Sequence, residues 1–307
     1  MTPREEVPKN MGASVRARLT NKARSRGDDV QLILLRFAIE RLIYRLAQSK
    51  YRDDFILKGA MLFSLWADIP YRGTGDLDLL GKGDPAPERI ASIFRELCSL
   101  PVPDDGLVFD ADSVNAERTR AEDEYQGVRA ELNATLAGAR LRIQIDIGFG
   151  DVVTPEAQAI NYPTLLDFPE PRLRAYPPET VVAEKLEALV SLGIRNSRMK
   201  DFFDLWIMAK TFAFDGPILA AAIGATFARR QTAIPAERPV AFTPDFANDT
   251  SKQAQWSAFL KRSSLAMAPE PLPDLLAFVA GFAMPVLEAV RDGKAFARKW
   301  PAGGAWS

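Results

Sequence analysis

Between Phe55 and Leu80 the chain reads FILKGAMLFSLWADIPYRGTGDLDLL. Its last five residues, Asp76-Leu77-Asp78-Leu79-Leu80, set acid against apolar groups in alternation. Side chains of a strand alternate between faces, so Asp76 and Asp78 share one face while Leu77 and Leu79 enter a core on the other. Two carboxylates held side by side repel by about 1 to 4 kcal/mol at surface-like dielectric. A divalent cation between them removes that repulsion, and hard oxygen donors favour Mg²⁺. Lys58-Gly59-Ala60 opens the stretch, a short apolar helix follows, and a glycine-containing turn just upstream of Asp76 has backbone amides that can approach a phosphate. The same Asp-x-Asp pair also fits an acidic turn on an exposed strand.

The rest of the composition narrows the chemistry. The chain has 307 residues, enough for one large domain or two ordinary ones. It is 47% hydrophobic and 26% charged, which is globular rather than disordered. There is no histidine, which excludes Ser-His and Cys-His catalysis and histidine zinc sites. Chemistry must run on carboxylates, lysines, hydroxyls and metal ions. A single cysteine, Cys98, rules out an intrachain disulfide framework and points to a cytoplasmic setting. The net charge of −1 supplies no global field for nucleic acid, so such contacts would come from local basic patches. No signal peptide and no run of about 18 apolar residues is expected, hence no membrane partner.

Along the chain, residues 1–26 are basic and read as a loose arm or a short helix. Asp28 or Asp29 caps a helix whose stripe is Leu35, Ala38, Ile39, Leu42, Ile43 and Leu46, with Arg36, Glu40, Arg41 and Arg45 largely on the other side. Glu88 to Leu100 is an amphipathic helix, and 104–140 holds two or more strands. Leu141 to Ile147 alternates Leu141, Ile143, Ile145 and Ile147 with Arg142, Gln144 and Asp146. Asp146 therefore meets Asp76 and Asp78 if the two strands are neighbours. A proline-rich connection follows, and the domain change is placed at 165/166. Thr180 is the expected N-cap of VVAEKLEALVSL. Lys185 sits in that helix's apolar stripe, either snorkelling to the rim or aimed at an anion. Asp201 opens the next helix, either answering its dipole or holding Lys185 or a substrate group. The remainder, to Ser307, is helical.

Three blocks, LKGA, RGTGDLD and PPETVVAEKLEALVSLGIRNSRMKDFFDL, in this order resemble the AbiEii/AbiGii-type nucleotidyltransferase toxins, which include the MenT-like tRNA-modifying toxins. The resemblance covers about Phe55 to Lys210. It implies an α+β (α/β) nucleotidyltransferase fold: a small mixed sheet flanked by helices in 1–165, then a mainly helical domain in 166–307. It also implies catalytic roles for Asp76, Asp78, Lys185 and Asp201, the last within a Lys200-Asp201 motif. Arg72 and Thr74 would contact the triphosphate, with Lys58, Gly59 and Lys200 also in the nucleotide site. Asp76 and Asp78 would hold Mg²⁺; Asp146 is the candidate third carboxylate from the strand pattern, not from the resemblance. The expected partners are a nucleoside triphosphate, tRNA as acceptor and a cognate antitoxin. The alternatives are transfer to a small molecule or a protein side chain, and a non-catalytic nucleotide-binding module.

Overall fold

In the computed structural model, which describes residues 10–67, 73–119, 127–263, 265 and 269–307, the chain begins with two capped helices. The Asn10 side chain caps α1 (Met11–Arg26), and Gly27 closes it in the left-handed region at φ 71°. Asp29 caps α2 (Val30–Gln48) by accepting from the Leu32 N–H. Then come β1 (Phe55–Lys58), a short α3 (Phe63–Trp66), β2 (Asp76–Gly81), α4 (Pro87–Cys98) and three long strands. These are β3 (Leu107–Arg118), β4 (Gly127–Leu136) and β5 (Ala139–Phe149), followed by β6 (Gln158–Asn161) and β7 (Arg172–Ala175).

Among the described residues these strands form one seven-stranded mixed sheet in the order β3-β4-β5-β2-β1-β7-β6. β2 runs antiparallel to β1 and parallel to β5, so the two acid-bearing strands are neighbours. The alternation read from the sequence holds: Leu77 and Leu79, then Leu141, Ile143, Ile145 and Ile147, are all buried. The sheet and the helices on it belong to a first unit, Met1–Gly150 with Ala159–Ala175; a second comprises Asp151–Gln158 and Tyr176–Ser307. The change of unit thus falls ten residues after the expected 165/166, because β7 still pairs in parallel with β1.

The expectation for the polar side of α2 is corrected. Glu40, Arg41 and Arg45 are buried, Arg41 completely. Residues around Asp105 and Leu165–Pro169 cover that side and supply partners. Asp105 accepts from Arg41 Nε at 3.2 Å and from Arg45 Nη1 at 2.7 Å, and the Pro169 carbonyl accepts from Arg41 Nη1 at 3.0 Å. The guanidiniums also lie over aromatic faces, Arg41 on Tyr44 at 4.1 Å and Arg45 on Phe109 at 4.6 Å. Removing one partner from such a buried pair costs about 3–5 kcal/mol, because the other charge stays in the interior.

The second unit holds α5 (Pro178–Leu192), α6 (Met199–Thr211), the two-residue strand β8 (Phe214–Asp215), α7 (Gly216–Arg229), α8 (Pro244–Asn248), α9 (Thr250–Arg262), α10 (Leu272–Arg291) and β9 (Lys299–Trp300), which pairs with β8. Thr180 is not the N-cap of α5. Pro177 occupies that position, and the Thr180 hydroxyl instead donates to the Thr154 carbonyl at 2.7 Å and accepts from its N–H at 3.0 Å. By length and composition α10 meets the test for a membrane span, which the sequence reading did not anticipate. Its apolarity has a packing explanation: Leu275, Val279, Phe282, Ala283 and Val286 are buried, and the helix packs on α6 and α7. Trp300 and Trp306 close over Phe282, each donating its indole N–H to a backbone carbonyl.

Candidate active site

The sheet brings four sequence-predicted residues to one level of the first unit. At the centre is Asp78. Its register partner on β1 is Lys58, and on β5 it is Asp146. Asp76 stands two residues earlier on the same face of β2, opposite Gln144. Both β2 carboxylates are half-buried, with Leu77 and Leu79 in the core behind them. Thr74 fixes the entry to the strand, its Oγ1 accepting from the Asp76 N–H at 3.4 Å. Arg72 lies outside the described residues.

Gly59 follows Lys58 directly and adopts φ +70°. A Cβ built there would sit 2.6 Å from Asp78 Cγ, inside the carboxylate's own space. Only glycine allows both the backbone sign and the close approach. The turn therefore lies against Asp78.

Asp146 reaches the expected level, but its carboxylate is engaged. Arg129 on β4, its register partner, donates from Nε at 2.7 Å and from Nη2 at 3.1 Å, and Gln144 adds a bond at 3.0 Å. The hydrogen bond that Arg129 donates to Asp146 holds its guanidinium above the ordinary range, and the nearby charges of Asp146, Asp76 and Glu131 act in the same direction. Both Asp146 oxygens thus accept hydrogen bonds in this structure. Among the described residues no group of three or more His, Cys, Asp or Glu is gathered to hold a metal ion. The donors that remain, Asp76 and Asp78, still suit Mg²⁺. That ion is commonly held by one or two carboxylates, completing its shell with water and substrate phosphates.

The other expected residues lie in the second unit, where α5 and α6 bring them together. Lys185 Nζ lies 2.7 Å from Asp201 Oδ1 and 2.8 Å from Asp204 Oδ2. The lysine side chain is 15% exposed, Asp201 8% and Asp204 0%. The two readings of Lys185 are thereby resolved: it is turned toward anions, and Asp201 is one of them. Asp204 was missed by the sequence reading. The signal was its i+3 spacing from Asp201, which puts both acids on one helical face. Arg198 approaches Asp201 Oδ2 at 3.5 Å, while Lys200 is exposed in the first turn of α6. Nearby in the same unit, Arg230 is ringed by Glu187 at 2.7 Å, Asp151 at 3.2 Å and Glu184 at 3.4 Å. Burial alone would lower its pKa, but the three carboxylates outweigh it and hold the guanidinium firmly charged.

Comparison with known proteins gives this geometry a context. A family model described as the nucleotidyl transferase AbiEii toxin of type IV toxin–antitoxin systems matches residues 41–280. Two solved structures share the fold. One is of a proposed nucleotidyltransferase from H. pylori, at 15% identity and TM-score 0.50, covering 87% of this chain and 100% of that one. The other is JHP933 from Helicobacter pylori, at 14% identity and TM-score 0.50, covering 86% and 95%. No curated protein matches.

Proposed function

We propose, from the premise that this chain belongs to the AbiEii nucleotidyltransferase toxin family, that it moves a nucleoside monophosphate from a nucleoside triphosphate onto the 3′ end of tRNA. Membership makes the chain a nucleotidyltransferase of a type IV toxin–antitoxin system, with a nucleoside triphosphate as substrate and an antitoxin as partner. The acceptor, the metal and the cytoplasmic setting are the added inferences. The observation that carries the reading is the Asp76–Asp78 face of β2, with the Gly59 turn against Asp78 and Lys58 at the same register.

In the transfer, an acceptor hydroxyl oxygen bonds to the α-phosphorus as the bond to pyrophosphate breaks, and the hydroxyl proton is released. Such a reaction asks the protein chiefly for alignment and charge neutralisation. Bound Mg²⁺ would supply Lewis-acid stabilisation of the phosphoryl oxygens, with Asp76 and Asp78 as its holders. Lys58 and the Gly59 turn approach the phosphates. In a histidine-free chain the charge of the departing pyrophosphate falls to lysine or arginine, and Lys185, held between Asp201 and Asp204, is the lysine that the family likeness assigns to catalysis.

The test is incubation with each labelled nucleoside triphosphate, Mg²⁺ and total tRNA. The expected result is label in the tRNA band with wild type and none with Asp76→Asn or Asp78→Asn. Label in a small product with bare tRNA would move the acceptor to a small hydroxylated molecule, a reading that the net charge of −1 allows. Undiminished transfer by both variants would remove the carboxylates from the chemistry.

A further inference from the structure

A second feature of the first unit is not used by this chemistry. Where α1, α2, α3 and the segment after β6 come together, they enclose a recess of about 740 Å³. Ligand pockets run to roughly 300–1,000 Å³. Neither Lys58 nor Asp76, Asp78 or Asp146 lines it.

Three cations reach this recess: Lys22 and Arg26, one helical turn apart on α1, and Arg36 on α2. Among the described residues none of the three is ion-paired with a carboxylate. Arg36 Nη2 donates to Ser64 Oγ at 3.1 Å, and Lys22 donates to the Leu165 carbonyl. Burial, with Arg26 as the next largest cause, lowers the Lys22 pKa; burial likewise lowers that of Arg36. Lys22 and Arg36 are half-buried and Arg26 stands exposed at the rim; like charges so gathered favour an anion between them.

The one acid in the lining is Glu40, 2% exposed. Its Oε2 accepts from the Leu165 N–H at 2.7 Å, while Oε1 has no hydrogen-bond partner and lies 4.0 Å from Arg41 Nη1. That oxygen still lacks a hydrogen bond, which a water or a polar group of a ligand in the recess would supply. The remaining wall mixes polar groups, such as Ser64 and Asn161, with Met61, Leu65 and Trp66. A phosphate alone would use the cations and leave Glu40 and the indole idle. A nucleotide has an anionic end, a flat ring and a polar ring edge, and it has the size.

We propose that this recess is a second ligand site that binds a nucleotide, its phosphate against Lys22, Arg26 and Arg36 and its base beside Trp66 and Glu40. The site does not depend on the transfer chemistry, because it requires no divalent metal. The experiment is calorimetric titration of the full-length protein with AMP, GMP, CMP, UMP and inorganic phosphate, all in EDTA. At least one nucleotide should bind, and more tightly than inorganic phosphate. The double variant Lys22→Gln, Arg36→Gln should weaken that binding at least tenfold. Should the double variant not fold, Trp66→Leu serves in its place with the same expectation. No binding by any nucleotide, binding unchanged in the variants, or phosphate binding as tightly as the best nucleotide would each overturn the proposal.

Discussion

Replacing Lys185 with alanine should destabilise the second unit before any question of catalysis arises. The ammonium lies within 2.8 Å of two carboxylates, of which Asp204 is wholly buried and Asp201 nearly so. Removing the cation leaves two like charges on one helical face in the interior. Breaking a buried pair in this way costs about 3–5 kcal/mol. Arg198, at 3.5 Å from Asp201 but 53% exposed, recovers little, since water screens it. For a region of this size each kcal/mol moves the midpoint by roughly 2–4 °C, so the shift should be roughly 6–20 °C downward. Calorimetry of Lys185→Ala, Asp204→Asn and the double variant closes a thermodynamic cycle. The coupling should exceed about 1 kcal/mol, with the double variant recovering part of the loss. A Lys185→Ala midpoint within about 1 °C of wild type, or a coupling under about 0.5 kcal/mol, would refute this reasoning. The result also governs how activity losses at Lys185 are read, because a partly unfolded enzyme loses activity for any reason.

Three further outcomes are expected. Gly59→Ala forces an L residue into the left-handed region, at about 1–2 kcal/mol, and drives a methyl into the Asp78 carboxylate; transfer activity should fall at least tenfold although Asp78 is retained, and a kcat within twofold of wild type would contradict it. Burial pushes Glu40 up to about 7 from an ordinary 4.5, so between those values the folded chain holds a proton that the unfolded chain has lost. Stability should therefore fall as pH rises through that window, by about 3 kcal/mol in all, and Glu40→Gln should flatten the decline in urea midpoints measured from pH 5 to 8; an unaltered slope in the variant would contradict the shift. Arg129→Met should cost no more than about 1 kcal/mol in chemical denaturation, because its partner Asp146 stays 29% exposed to solvent; a loss of 3 kcal/mol or more, on the scale of a buried pair, would contradict this surface-like reading.

The sheet was legible because alternation states directly which side chains share a face. It placed Leu77, Leu79 and the Leu141–Ile147 set in the core, and it aligned Asp76 with Asp78. Register across strands was not legible. Arg129 meets Asp146 only because β4 pairs with β5 at that step, and nothing local to Arg129 announces it. Helical periodicity likewise tells which residues of α2 lie together, but not that loops carrying Asp105 and Pro169 cover the polar side as well. Thr180 looked like a cap by residue type, yet Pro177 and Pro178 had already set the helix start, which released the hydroxyl to Thr154. On α6 the acids of Asp-Phe-Phe-Asp were in plain view, but their common target was fixed only by the packing of α5 against α6.

The decisive observation is the position of a manganese ion in crystals grown with a non-hydrolysable nucleoside triphosphate, located by its anomalous signal. The metal should lie about 2.0–2.3 Å from carboxylate oxygens of both Asp76 and Asp78, with the triphosphate bound to it. A metal and nucleotide seated elsewhere, with those two carboxylates bare, would contradict the account.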